Sequence, residues 1–309
     1  MGTAIWITGL ASAAFFVSHL GLSSVAVRGG LVGRLGEKGF QGLYALVALL
    51  ALGAMIAGYI QASHTVFLWL PGHGLRHLPL LIMPLALILI AGGVLAPNPS
   101  AVGMTGALDQ VEPAQGVLRI TRHPVMWGIG LWAAAHILAN GDLASLLFFG
   151  GFLLTALGGA WHLDHRMAVD QGERWRRFAA ITSYLPFAAL LGGRQRWSWA
   201  ELRRPAAWGL GAFGLLLVLH PYLFGVRPYW PALVSSSNER CPSRQRSCPA
   251  GVELNTGQKN AAGCPAASSL GGNQPKPQEE SAPFHAWREA LAAGVGRTCS
   301  LLLFFIGSN

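Results

Sequence analysis

Long apolar stretches alternate with short polar segments over the first 226 residues of the chain. The stretches are residues 3–27, 39–60, 78–96, 124–139, 143–161 and 205–224, and none of them contains Asp, Glu, Lys or Arg. Each is close to the roughly 20 residues that a helix needs to cross the hydrocarbon of a bilayer. The fourth is short, unless it begins nearer Val117. The pattern predicts an all-α, polytopic membrane helical bundle with about six transmembrane helices.

The basic residues between these stretches predict an orientation. The first, third and fifth loops hold 13 Lys and Arg residues against 1 in the second and fourth loops together. Because cytoplasmic loops are enriched in Lys and Arg, we expect loops one, three and five to be cytoplasmic and both termini to lie outside. No basic residue precedes the first stretch, and it is longer than the apolar region of a signal peptide, so we expect it to be retained.

Composition supports a membrane protein and separates the last quarter of the chain from the rest. The chain is 52% hydrophobic and 11% charged, whereas soluble domains are typically about 25% charged. Residues 227–309 hold all four cysteines among many Ser, Pro, Gly, Asn and Gln residues, without periodicity. We therefore predict a transmembrane domain at residues 1–226 and a low-complexity, disordered tail at residues 227–309, whose cysteine spacings match no compact zinc pattern.

Three histidines are the ionisable side chains at membrane depth: His19, His136 and His220. An ionisable residue inside a membrane segment is a functional candidate by default. The alternative is a neutral imidazole that forms a hydrogen bond with a neighbouring hydroxyl or backbone carbonyl. His220 fits the alternative best, because it precedes Pro221 near the end of the last stretch, where its ring can reach the interface.

His19 and His136 lie deeper, and each shares a helix face with aromatic or small residues. These neighbours are Ser12, Phe15, Phe16 and Ser23 for His19, and Val125, Ile129 and Trp132 for His136. Two imidazoles that face each other across a helical bundle, in a flat slot lined by aromatic and small side chains, suit the axial ligation of haem b. Plain packing of an aromatic stripe is the alternative. The sequence nominates His19 and His136 as axial ligands of a haem iron.

A second group of candidates lies at the predicted cytoplasmic ends of the helices. Arg28, Arg119 and Arg122 are expected at the same face, where they can pair with haem propionates or lipid phosphates. The alternative is ordinary positive charge on the cytoplasmic side. His123 lies at the mouth of the fourth stretch and points nearly opposite to His136, so the two cannot ligate one metal from a straight helix.

Loop five contains an amphipathic segment at residues 164–185, which predicts a helix on the inner membrane surface. His162 and His165 share a helix face next to Asp164 and are a weak candidate for half of a metal site.

Six short segments resemble the NnrU family, and together they cover nearly the whole body of the chain. They are residues 18–19 (SH), 95–99 (LAPNP), 116–124 (GVLRITRHP), 131–136 (LWAAAH) with Asn140 and Gly141, 182–187 (TSYLPF) and 220–225 (HPYLFG). The resemblance implies a bacterial inner (plasma) membrane protein of nitric oxide and denitrification metabolism. The family is also similar to 15-cis-zeta-carotene isomerases, which are membrane haem b enzymes that isomerise a central double bond of a carotenoid.

Carried over residue by residue, the two haem histidines of those isomerases fall on His19 and His136. The isomerases also have a cysteine three residues before the second histidine, and this chain has Ala133 there. The resemblance therefore implies haem binding, with a hydrophobic polyene or nitric oxide as ligand, but leaves the ligand exchange of the isomerases open. Nucleic acid is not expected as a partner.

Two alternatives come from other functional classes. Residues 122–128 together with Gly172, Glu173 and Trp175 are similar to membrane S-adenosylmethionine-dependent methyltransferases of the isoprenylcysteine and phospholipid type. That hypothesis needs acidic groups at the cytoplasmic mouth and leaves the membrane histidines unexplained. The other alternative is a non-catalytic accessory membrane subunit, in which all three histidines are simply hydrogen-bonded.

Overall fold

The structure, a computed structural model, describes residues 2–101, 103–226 and Pro228. In this part of the chain the α-helices are α1 (Thr3–Ser23), α2 (Val25–Gln61), α3 (His73–Leu95), α4 (Pro124–Asn140), α5 (Leu143–Asp170), α6 (Glu173–Ile181), α7 (Ala188–Leu191) and α8 (Trp199–Phe224). Two short 3₁₀ helices, Thr105–Asp109 and Gly116–Arg119, lie between α3 and α4. The all-α prediction is confirmed. Except for Pro228, the tail at 227–309 lies outside the described residues, so its disorder stays a prediction.

Five of these helices are long and apolar enough to cross a membrane: α1, α2, α3, α5 and α8. They contain five of the six predicted spans. The remaining span forms α4, whose 17 residues stand at the lower end of the range of about 17 to 25 for a spanning helix. Pro124 occupies the first turn of α4, where its missing N–H costs no hydrogen bond, and Gly141 ends the helix in a left-handed conformation. The chain is a membrane protein; which side each end faces stays a prediction.

The long helices pack side by side in the spatial order α2, α1, α5, α4, α3, α8. Close approaches fix their directions. Thr8 of α1 lies against Gly58 near the end of α2, whereas Ser12 lies against Gly151 near the start of α5. Helix α1 is therefore antiparallel to α2 and parallel to α5. Gly130 of α4 lies against Leu157, so α4 runs antiparallel to α5.

This arrangement creates two ends of the bundle. The Asp142 end holds the start of α1, the end of α2 and the α4–α5 turn. The Asp164 end holds the end of α1, the segments between α3 and α4, the end of α5 and the start of α8.

Two predicted loops are partly helical, which corrects the sequence analysis. Arg28 and Arg34 lie in the first part of α2, which breaks at Gly36, where φ is 71°. In loop five, residues 164–170 continue α5, and the separate amphipathic helix is only α6. The apolar side chains of α6, Trp175 and Phe178, are buried against α5 and the second 3₁₀ helix. Protein rather than lipid covers the apolar face of this helix.

The Asp142 end is closed by hydrogen bonds around the start of α5. Asp142 caps α5 by accepting a hydrogen bond from the Ser145 N–H at 3.0 Å, and its Oδ1 lies 2.9 Å from Nδ1 of His64. The hydrogen bond to Asp142 raises the pKa of His64 above 6.5. Burial would raise the pKa of Asp142, but the hydrogen bonds from His64 and Ser145 outweigh it and lower this pKa to about 2.

These two shifts predict a pH dependence of stability. The contribution of Asp142 is complete above about pH 3.8 and is lost as the pH falls toward 2, whereas that of His64 is complete below pH 6.5 and is lost as the pH rises through its raised pKa. Because His64 is partly exposed, we expect its loss to be about 0.5 kcal/mol or less. Thermal unfolding in detergent at pH 5 and pH 8 measures it. The His64→Ala variant should not show this decrease, and an equal decrease in that variant would assign it to another group.

Candidate functional site

A continuous series of aromatic rings connects His19 with His136 through the middle of the bundle. In order, this aromatic chain consists of Tyr44, His19, Phe15, Phe152, Trp132 and His136. Successive ring centroids are 5.3, 4.0, 5.6, 5.2 and 5.5 Å apart. Helices α2, α1, α5 and α4 all contribute to it. The structure therefore places both candidate histidines along one aromatic surface.

The two imidazoles are oriented in the same way by their own helices. Nδ1 of His19 lies 2.7 Å from the Phe15 carbonyl oxygen, and Nδ1 of His136 lies 2.8 Å from that of Trp132. A carbonyl oxygen only accepts hydrogen bonds, so Nδ1 carries the hydrogen in both rings. Nε2 of each neutral ring then has a free lone pair. A histidine whose second nitrogen donates to a backbone carbonyl is the usual form of a metal or haem ligand.

The histidines lie at different depths. His136 stacks on Phe149 of α5, with ring centroids 5.1 Å apart. His19 belongs to the turn of α1 whose Phe16 and Leu20 lie against Gly158 of α5. About ten residues of α5 separate these levels, which corresponds to roughly 15 Å along the helix. Binding of one iron by both rings therefore requires a displacement of α1 relative to α4 from this arrangement.

The two candidate arginines lie at different places. Arg28 pairs with Glu37 at 2.6 Å, and its guanidinium carbon lies 5.4 Å from the ring centroid of Phe40. Phe40 is followed by Tyr44, with centroids 6.1 Å apart, so Arg28 lies near the His19 end of the aromatic chain. Arg122 is remote from that surface and is bonded to Asp164 through Nε at 2.8 Å and through Nη2.

Asp164 is the residue whose role the sequence analysis missed. Besides Arg122, it is bonded to His123, whose Nε2 lies 2.7 Å from Oδ1. Arg119, the other basic candidate of this end, makes two hydrogen bonds with Glu201, at 2.9 and 2.8 Å. Both arginines are thus neutralised within the chain, and neither offers a free cation to an anionic ligand.

Three of the family-like segments meet at the Asp164 end. The Arg122 N–H donates to the Ser183 carbonyl at 3.0 Å, and the Thr121 hydroxyl donates to the Tyr184 carbonyl at 2.8 Å. From the 95–99 segment, Asn98 accepts hydrogen bonds from the backbone and hydroxyl of Ser100, whose Oγ also lies 2.5 Å from the Arg122 carbonyl oxygen. The polar residues of these motifs therefore hold separate loops together. Their abundance of Ser, Thr and Asn beside Arg and His was the available signal.

The remaining histidine candidates have simple environments. His220 forms a hydrogen bond of 2.7 Å between Nδ1 and the Val226 carbonyl, as its alternative interpretation predicted. His165 is exposed, whereas Nε2 of His162 is buried without a hydrogen-bond partner. Among the described residues no group of three or more His, Cys, Asp or Glu side chains is placed to hold a metal ion.

Comparison with known families decides between the sequence hypotheses at the level of the family. The model of the family described as "NnrU protein" matches residues 7–228. The chain belongs to the NnrU family. Residues 95–99, 116–124 and 182–187, which join at the Asp164 end, all lie inside the matched region of this NnrU protein.

Two curated relatives match a smaller part of the chain. Both are named 15-cis-zeta-carotene isomerase, chloroplastic: the protein of Zea mays is 40% identical over 81 residues, and that of Arabidopsis thaliana is 41% identical over 80 residues. Each match covers 26% of this chain and 22% of the relative. No solved structure matches the chain.

The methyltransferase alternative finds little support in the geometry. Of the acidic residues that it needs at this end, Asp164 is bonded to Arg122 and His123, Asp170 lies 4.0 Å from Arg166, and Glu173 lies 3.3 Å from Arg176. Trp175, which belongs to the similar motif, is buried in a core cluster. These groups bind one another.

Proposed function

We propose that this NnrU protein is a membrane-embedded cis–trans isomerase of an extended polyene, as the names of its relatives indicate for theirs, and that it uses haem b. The aromatic chain between His19 and His136 carries the proposal. It is an apolar surface that extends along the bundle and has a ring nitrogen with a free lone pair toward each end.

The shape and polarity of this surface suit a long conjugated hydrocarbon. Flat aromatic side chains favour stacked or edge-on contact with another π-system, and they hold it without hydrogen bonds. Residues 3–27, 39–60, 124–139 and 143–161 contain no Asp, Glu, Lys or Arg, so no formal charge is desolvated when such a molecule binds between the helices they form. The levels of His19 and His136, roughly 15 Å apart, allow a polyene to lie along the helix direction.

The residues also suit haem at either end of the aromatic chain. Nε2 of His19 or of His136 would ligate the iron, and Arg28 lies where a propionate would meet the His19 end. Haem supplies a redox-active iron that can change the electron density of a nearby double bond. The chain's own residues orient each imidazole through the i−4 carbonyl and exclude water. Ala133 is fully buried beside Phe149 and offers no thiol for ligand exchange.

The first test is the absorption spectrum of the detergent-purified protein, oxidised and dithionite-reduced, with a pyridine haemochrome assay. We expect a b-type spectrum and about one haem per chain. His19→Ala or His136→Ala should abolish or strongly change it, whereas the control His220→Ala should not, because His220 is bonded to its own backbone. A colourless protein from haem-replete cells, or equal haem in all variants, contradicts the haem assignment. Nitric oxide added to the reduced protein tests the ligand that the family resemblance implies.

The second test measures isomerisation of 15-cis-zeta-carotene in proteoliposomes by chromatography of the isomers. Trp132→Ala should lower the rate about tenfold, because it removes a ring in the middle of the aromatic chain. Trp208→Ala is the matched control, since Trp208 of α8 is exposed outside this surface. No isomerisation by the haem-loaded protein contradicts this substrate class, and equal losses in the two variants contradict the role of the aromatic chain.

A further inference from the structure

His123 is a fully buried imidazole with one satisfied and one unsatisfied nitrogen. Its side chain is 0% exposed, and Nε2 lies 2.7 Å from Oδ1 of Asp164. Nδ1 is buried and has no hydrogen-bond partner. Buried polar atoms in proteins are nearly always hydrogen-bonded, so such an atom needs an explanation.

The partners of His123 determine which nitrogen carries the hydrogen. Asp164 accepts two further hydrogen bonds from the Arg122 guanidinium, so its carboxylate is charged and can only accept from His123. Nε2 is therefore the donor. Burial lowers the pKa of His123 and outweighs the effect of Asp164, which favours the neutral ring. Nδ1 then has a free lone pair, and the carboxylate behind the ring makes it a better acceptor.

His123 lines a small cleft at the Asp164 end, between the 98–101 segment and the start of α4. The other lining residues are Asn98, Ser100, Ala101, Val125, Met126 and Leu163. The cleft is partly open to the outside and has room for about one water-sized group. Most of its wall is apolar.

The polar residues of this wall are already engaged. Asn98 donates to the Gly93 carbonyl at 3.1 Å and accepts from Ser100, whose hydroxyl lies within hydrogen-bond distance of Asn98 and of the Arg122 carbonyl. A buried water usually needs two to four polar partners, and here Nδ1 of His123 is the unsatisfied one. A hydroxyl attached to an apolar body needs a single acceptor, because its body gains contact with the apolar wall instead of further hydrogen bonds.

We infer that the Asp164–His123 pair is a binding site for the hydroxyl group of an apolar alcohol, separate from the aromatic chain. The hydroxyl donates to Nδ1 of His123, and Asp164 holds the ring in the tautomer that accepts. Val125, Met126 and Leu163 contact the first carbons, and the rest of the molecule extends through the open side of the cleft. The site goes beyond the proposed isomerase function and requires neither haem nor a polyene.

Nuclear magnetic resonance of the full chain, with ¹⁵N-labelled histidine and in a detergent without hydroxyl groups, tests the site. The probe is 1-octanol, and 1-methoxyoctane is the matched ether that lacks the donor. We expect 1-octanol to shift the Nδ1 resonance of His123 in a saturable manner, while the ether leaves it unchanged. The Nε2 resonance should show the attached hydrogen throughout.

Ala101→Phe is the variant that separates the site from the stability of the pair. It fills the cleft without replacing His123 or Asp164, so the tautomer should persist while the response to octanol is lost. An equal response to octanol and ether, or a response that survives in Ala101→Phe, overturns the inference. No response to octanol also overturns it and leaves water as the occupant.

Discussion

Replacement of Asp164 with alanine is expected to destabilise the protein by about 3–5 kcal/mol, the usual cost of removing one partner from a buried ion pair. The side chain of Asp164 is 18% exposed, that of Arg122 14%, and His123 is fully buried. Without the carboxylate, the guanidinium and the Nε2 hydrogen would both lack a partner in a site that water enters poorly. The thermal unfolding temperature in detergent measures the loss.

The matched control is Glu37→Ala, which removes the partner of Arg28. This ion pair has a similar distance of 2.6 Å, but its side chains are 31% and 49% exposed. An exposed pair contributes about 0–1 kcal/mol, so we expect a small effect. If Asp164→Ala is no more harmful than Glu37→Ala, the network at the Asp164 end does not hold the loops together, and its residues must be conserved in position by other contacts.

Replacement of Gly209 with alanine is expected to cost about 1–3 kcal/mol, as overpacking in a protein interior does. A Cβ at this position would lie 2.6 Å from both N and Cα of Ile88 in α3. Because these are backbone atoms, no side-chain rotation relieves the contact, and α8 would have to move away from α3. Helix α8 packs mainly on α3, so this separation weakens its attachment.

Gly211→Ala on the same helix is the control. No atom lies within 4 Å of a Cβ at Gly211, so this variant should only gain helix propensity, by up to about 1 kcal/mol. The two variants differ by one chemical group at neighbouring positions, and unfolding in detergent compares them directly. Equal stability of the two would show that α8 does not lie against α3 at Gly209.

The local properties of the chain were predictable from its sequence. The length of each apolar stretch located five helices that can span a membrane and the shorter α4, because a helix in lipid must satisfy its own backbone hydrogen bonds. The same property isolated His19, His136 and His220 as ionisable groups among apolar residues. The order of the family-like segments identified the family, and those segments carry local contacts that depend on particular residue types.

Relations between helices were decided by the tertiary structure. The depth of His19 relative to His136 depends on the register of α1 against α5, which is determined by the packing of Ser12 on Gly151, and no periodicity within one helix specifies it. The same holds for α6, whose amphipathic pattern suits lipid or protein equally well until Leu163 and Met167 cover it. Asp164 is one acidic residue among several in loop five, and only folding brings Arg122 and His123, some forty residues earlier, onto its carboxylate. Sequence specifies each helix through interactions along a single segment, whereas the candidate sites form between segments, where side-chain packing selects the partners.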